Sequence, residues 1–174
     1  EKELALVPIL AEADADAYDI GANHGAYTAP MLQVAGRVVA FEPNPTMGKV
    51  LKTRFARELR EGRLVLMPMA LGDAEGEAVL HVPEAGSGLA SMKEEAVQSV
   101  STPGLLHIAV AVRRLDDLKS DIGRGRRVGF VKLDVQGFAG PALRGAVENL
   151  KAHQPSLLLA AEQRHPPGTL AKPH

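Results

Sequence analysis

An α/β fold with a mainly parallel sheet and helices on both faces is the architecture this sequence predicts. Two observations carry it. Apolar segments alternate with segments of helical periodicity from Ala17 to Leu71, and again from Arg127 to Ala161. That alternation implies parallel strands joined by right-handed crossovers. The first strand also runs into a glycine-rich turn, "DIGANHG", that opens a helix, and open parallel sheets bind ligands beyond the carboxyl ends of their strands.

The elements follow in order. Residues 1–13 form an N-terminal segment in which Leu4, Val7 and Leu10 recur at helical spacing, predicting an amphipathic helix over 2–13. Ala17–Ile20 is a short strand entering Gly21, and Tyr27–Val34 is a helix with Pro30 near its first turn. "RVVAFEP", Arg37 to Pro43, is a buried-type strand stopped by proline. Asn44 can cap the next helix and Pro45 suits its first position. Met47, Leu51, Phe55 and Leu59 give that helix one apolar face. Arg63 to Leu71 is a third strand.

Gly76 to Val82 and Leu105 to Leu115 read as strands, separated by a loop at Glu84–Ser91. With no clear helix between them, they are expected to be antiparallel or edge strands. Arg127 to Val135 is a central strand, and Pro141 to His153 a helix burying Leu143, Ala146, Val147 and Leu150. Ser156–Ala161 is a fifth parallel strand, and the tail, 163–174, has no periodicity. No repeat or linker divides the chain, so 1–174 is expected to be a single domain.

Composition narrows the function classes. A formal net charge of −1 argues against nucleic-acid binding by bulk electrostatics. The absence of cysteine removes disulfides, thiolate metal sites and a cysteine nucleophile. No apolar run reaches membrane-spanning length, and Glu1-Lys2-Glu3 does not begin a signal peptide. The expectation is a soluble cytoplasmic protein with neither a membrane nor a nucleic-acid partner. His81, His107, His153 and His165 show no paired metal spacing, so no metal site is predicted.

The turn reads Asp19-x-Gly21-x-Asn23-x-Gly25. A dinucleotide fingerprint is G-x-G-x-x-G, whose second glycine lets the backbone touch a pyrophosphate. Counted from Gly21, that position is Asn23 and the third is Ala26. Asp19 would repel a pyrophosphate but suits an ammonium group. Glu42 lies 21 residues after Gly21 at the end of the second strand, where a carboxylate accepts from ribose hydroxyls. An adenosine joined to an amino-acid end is S-adenosyl-L-methionine. The plainer alternative is a tight strand–helix connection with no ligand.

Four segments resemble the FkbM-type S-adenosylmethionine-dependent methyltransferases: "DIGANHGAYT", "GRVVAFEPNP", "VRRLDDL", and "FVKLDVQG" followed by "LRGA". The resemblance implies a Rossmann-like sheet of the class I methyltransferase type. It also implies O-methylation of a hydroxyl on a sugar or small metabolite. Asp19, Gly21, Asn23, Gly25 and Thr28 are implied at the methionine end of the cofactor, and Glu42 at the ribose. Asp73 is implied at the adenine, with an ordinary turn aspartate as the alternative. Asn44 is read as a cap rather than an adenine contact. Asp134 is implied beside the transferring methyl, as both a cofactor contact and a catalytic residue. Lys132, on the same face as Asp134, neutralises it or points to an interior carboxylate.

The family usually reads K-[IL]-D-V-E-G-x-E, whereas this chain has Gln136 and Ala139 at the two glutamate positions. His24, where the family has an aliphatic or small residue, is a candidate replacement base. A solvent-facing turn histidine is its alternative. The basic stretch Gly123–Gly129 is read as a solvated loop. Sheets of this type commonly add an antiparallel strand pair after the fifth strand. The expectation here is a sheet lacking that pair, with Ser156–Ala161 an apolar edge covered by the middle strands, by a partner chain, a homodimer included, or by strands of a longer chain. The alternative functions are a non-catalytic S-adenosylmethionine-binding module and an NAD-linked oxidoreductase.

Overall fold

Strand β1 (Asp16–Ile20) is the centre of a five-stranded sheet in the computed structural model, which describes residues 3–83, 92, 104–118, 122, 126–135 and 137–160. The strand order is β3-β2-β1-β7-β8, with β2 at Arg37–Phe41, β3 at Leu64–Met67, β7 at Val128–Leu133 and β8 at Ser156–Leu159. Every pairing in this sheet is parallel. The chain winds outward from β1 through β2 to β3, then returns to the other side of β1 as β7 and β8. That reversal places the crevice between the carboxyl ends of β1 and β7.

The two faces of β1 belong to two separate cores. Tyr18 and Ile20 pack with Val39, Phe41, Val131, Leu133 and the helices after β7. Ala17 packs with Val38, Ala40, Phe130, Met31, Leu51 and Phe55 on the opposite face. This is the period-two split of a strand buried on both sides.

Several elements differ from the sequence expectation. The N-terminal helix is a 3-10 turn, Glu3–Leu6, followed by one α-helical turn, α1 (Val7–Leu10). Pro8 has no N–H to give the Leu4 carbonyl, so one continuous helix over 2–13 cannot form. Helix α2 (Thr28–Val34) stands as expected. The next predicted helix is two, α3 (Pro45–Arg54) and α4 (Ala56–Arg60), broken at Phe55. The buried Phe55 ring lies against Gly25 of the first turn.

The predicted strand Arg63–Leu71 also splits. Pro68, which cannot donate to a ladder, separates β3 from β4 (Ala70–Leu71). Strand β4 joins β5 (Gly76–Pro83) and β6 (Leu105–Arg113) in a second sheet of order β4-β6-β5. β5 and β6 are antiparallel, as expected.

The predicted helix Pro141–His153 is α5 (Ala139–Arg144) and α6 (Val147–His153). Between them the Gly145 carbonyl accepts the Asp116 amide at 3.0 Å. The Asp116 carboxylate then accepts the Glu148 and Asn149 amides at 3.2 and 2.8 Å. It satisfies two of the orphan donors that open α6, so a fresh helix start is favoured there. Val147, expected in the buried face, is exposed as a result of the restart. The 3-10 turn Leu115–Asp117 takes the end of the predicted strand Leu105–Leu115 and supplies this cap.

β8 has no strand on its outer side among the described residues, and Leu157 and Leu159 are exposed along it. The described middle strands form their own sheet and do not pair with that edge. The predicted loop Glu84–Ser91, Gln136, the start of the basic stretch and the tail 163–174 lie outside the described residues. Of the basic stretch, Arg126 is tied to buried Asp16 at 2.7 Å and Arg127 to Glu12, so neither is simply solvated. No described helix is long and apolar enough to cross a membrane.

Candidate cofactor site

The turn after β1 is stitched to both neighbouring strands. The Phe41 carbonyl accepts the Gly21 and Ala22 amides at 3.0 and 3.1 Å, and the Ile20 carbonyl accepts the Asp134 amide at 3.0 Å. Gly21 sits at φ +79, and a Cβ there would stand 2.1 Å from the Asp134 carbonyl oxygen. Only glycine lets the turns after β1 and β7 meet. Asn23 adopts a left-handed φ of 51° and Gly25 one of 85°. These conformations fold the turn back toward β2.

That folding brings Asn23 to Glu42. Glu42 is 6% exposed at the end of β2. Its carboxylate accepts the Asn23 amide at 2.6 Å and the Asn44 amide at 2.8 Å. Burial pushes the Glu42 pKa up, while the Asn44 and Asn23 amides pull it down. A carboxylate offers about four lone-pair directions, so two remain after these bonds. Asn44 itself caps α3, its side-chain oxygen accepting the Thr46 amide at 2.9 Å.

Asp19 is wholly buried beneath the turn. It accepts the Thr28 hydroxyl at 2.6 Å and the Lys132 ammonium at 3.1 Å. Lys132 resolves its own question: it points to this interior carboxylate and also donates to the Gly21 carbonyl at 2.8 Å. Its Nζ stands 3.9 Å from Asp134 and 5.0 Å from the Tyr27 ring centroid. Asp134, at the end of β7, is 42% exposed. The Tyr27 hydroxyl is pushed up by burial, then by the carboxylates of Glu3, Asp134 and Asp19.

Asp19, Glu42 and Asp134 thus gather around one buried ammonium, Lys132, with the exposed Arg54 guanidinium on the His24 carbonyl of the turn, so carboxylates outnumber cations by one. Such a lining fits a sulfonium and an ammonium, and opposes a pyrophosphate.

The remaining predicted residues make other contacts. Thr28 is wholly buried, its hydroxyl committed to Asp19. The His24 side chain is exposed, and its backbone carbonyl accepts Arg54 at 2.8 Å. Asp73 is half exposed and paired with Arg144 at 2.8 Å, which holds its carboxyl below the usual range. Ala139 opens α5 and offers no carboxylate.

A family model described as the methyltransferase FkbM domain matches residues 19–171. The chain belongs to the FkbM methyltransferase family. No curated protein matches the chain. Among solved structures, methyltransferase FkbM from Methylobacillus flagellatus KT is 20% identical, with a TM-score of 0.59 over 86% of this chain and 33% of that one. It shows the shared fold, and the present FkbM-family chain spans about a third of its length. A Streptococcus mutans protein in complex with SAH is 9% identical at a TM-score of 0.45, covering 87% of this chain and 64% of that one. An rRNA methylase from Streptococcus thermophilus is 14% identical at a TM-score of 0.36, covering 40% of this chain and 41% of that one.

One contributor to this FkbM-family site and one to the fold around it were not legible as such. Tyr27 covers the Lys132 ammonium through its ring, a contact no spacing announces. Asp116, in "RRLDDL", shapes α6 through a cap 32 and 33 residues away in sequence.

Proposed function

We propose that this chain binds S-adenosyl-L-methionine at the carboxyl ends of β1, β2 and β7 and methylates a hydroxyl of a sugar or small metabolite. The observation that supports it best is the carboxylate cluster at the glycine turn: Asp19, Glu42 and Asp134 around the single buried ammonium of Lys132, at the point where the strand order reverses. Glu42 has acceptor capacity left for the ribose hydroxyls. Asp134, 42% exposed and bonded through its amide to the end of β1, faces the amino-acid or methyl end. Asp19, Thr28 and Lys132 hold the turn from behind.

When bound, the cofactor supplies an electrophilic methyl on a sulfonium, itself a good leaving group. The protein then has to place the acceptor oxygen in line, which contributes on the order of 7–11 kcal/mol. Transfer would break the S–CH3 bond as the O–CH3 bond forms, leaving the neutral thioether, and the acceptor's proton would pass to a base, for which Asp134 and His24 are the candidates. A base in that role adds roughly a hundred- to ten-thousand-fold.

The absence of a carboxylate at Ala139 favours a second reading, a binding module that keeps the cofactor site without the transfer. Calorimetric titration with S-adenosylhomocysteine, NAD alongside, tests the site. The expected result is micromolar binding of S-adenosylhomocysteine, none of NAD, and loss on Glu42→Ala. Methyl transfer from labelled S-adenosylmethionine to a panel of sugars and hydroxylated metabolites then separates the enzyme from the module.

A further inference from the structure

His81 and His107 stand directly opposite each other across the antiparallel pair β5–β6. Their ring centroids are 4.9 Å apart with the planes at 75°. His81 is 8% exposed, and its Nδ1 is buried with no hydrogen-bond partner. A buried imidazole nitrogen without a partner calls for a physical account, and a bound ion is one of the few available. His107 is exposed, so its ring is free to turn a nitrogen toward that of His81.

Two imidazoles sharing one tetrahedral ion, at metal–nitrogen distances of about 2.0–2.1 Å, place their centroids roughly 5 Å apart. The observed separation matches that spacing. The neighbours are apolar: Val79 and Ala109 pair on one side, Pro83 and Leu105 on the other. Nothing in that ring of residues competes for the imidazoles, and the ladder holds both strands in register. No group of three His, Asp or Glu gathers among the described residues, so the pair would act as a two-point chelate completed by water.

We infer that His81 and His107 form a cross-strand site for a divalent transition ion of the zinc and copper type, clamping the β5–β6 hairpin. Sequence spacing could not announce it, because the two histidines are 26 positions apart and meet only through the strand register. The site is separate from the glycine turn and does not depend on the proposed cofactor.

The test is thermal melting of the full chain with Zn2+, with Cu2+, and with Mg2+ as the hard-ion control. At an ion concentration about a hundred times the dissociation constant, the melting temperature of the parent protein should rise by about 5–10 °C. Cu2+ should saturate at lower concentration than Zn2+, and Mg2+ should do nothing. His107→Ala, at an exposed position, should abolish the shift while leaving the metal-free melting temperature nearly unchanged. His81→Gln should abolish it too. A parent protein indifferent to Zn2+ and Cu2+ would leave the pair as an edge-to-face ring contact and overturn the proposal. An equal shift in His107→Ala would place the ion elsewhere and overturn it as well.

Discussion

The Lys132 ammonium lies 3.1 Å from the Asp19 carboxylate with both side chains buried, and the same ammonium donates to the Gly21 carbonyl at 2.8 Å. One cation therefore neutralises the charge beneath the turn and holds the turn's backbone. Removing one partner of such a pair leaves an uncompensated buried charge, which costs about 3–5 kcal/mol. Lys132→Met should lose stability of that order in urea unfolding. Asp19→Asn combined with Lys132→Met should recover a large part of it, since no wholly buried charge of the pair is then left unpaired. A single substitution costing under about 1 kcal/mol would mean water reaches the pair.

Glu42 should show opposite pH trends in stability and in binding. Burial raises its folded-state pKa above that of the unfolded chain. The folded state therefore holds the proton more tightly just above the ordinary glutamate range. The stability Glu42 contributes is present below that range and is lost as pH rises through the raised pKa. Parent minus Glu42→Gln stability, measured by urea unfolding at a series of pH values, should fall with rising pH over that window. Affinity for S-adenosylhomocysteine should rise over the same window, because the ionised carboxylate accepts from the ribose. A charged hydrogen bond contributes about 1.5–3 kcal/mol, so Glu42→Ala should weaken binding about ten- to a hundredfold.

Asp134 should separate function from stability. It is 42% exposed and its nearest cation is already engaged with Asp19. Asp134→Asn should change stability by no more than about 0.5 kcal/mol. It should still lower S-adenosylhomocysteine affinity or the methyl-transfer rate. Unchanged binding and turnover would remove Asp134 from the site.

Asp73 is the contrasting carboxylate. Its carboxylate is paired with Arg144 in a half-exposed position. Asp73→Ala should leave S-adenosylhomocysteine affinity within about twofold, well inside the tenfold step of a 1.4 kcal/mol contact. A loss as large as that of Glu42→Ala would put Asp73 on the adenine after all.

Asp116→Ala should destabilise the fold by about 0.5–2 kcal/mol, the usual cost of losing a helix cap. Its carboxylate accepts two amides at the start of α6. The loss should be read in urea unfolding, with S-adenosylhomocysteine affinity little changed.

The sequence by itself determined the parallel architecture, because each strand carries an apolar run bounded by its own stop signal. Proline ends β2, and Asn44 with Pro45 starts α3. It also determined the ends of β1 and β2, where Asp19, Gly21 and Glu42 stand at spacings set by one crossover. These are local signals, and the period of a strand or helix transmits them directly.

Tertiary structure decided what local pattern cannot carry. The breaks at Phe55 and between α5 and α6 follow from contacts with the first turn and with Asp116, distant in sequence. The partner of Lys132 was open until the parallel register set it beside Asp19. The pairing of His81 with His107 exists only through the antiparallel ladder. The separate sheet β4-β6-β5 follows from Pro68, whose effect on a ladder is local but whose consequence, a strand that leaves one sheet for another, is not.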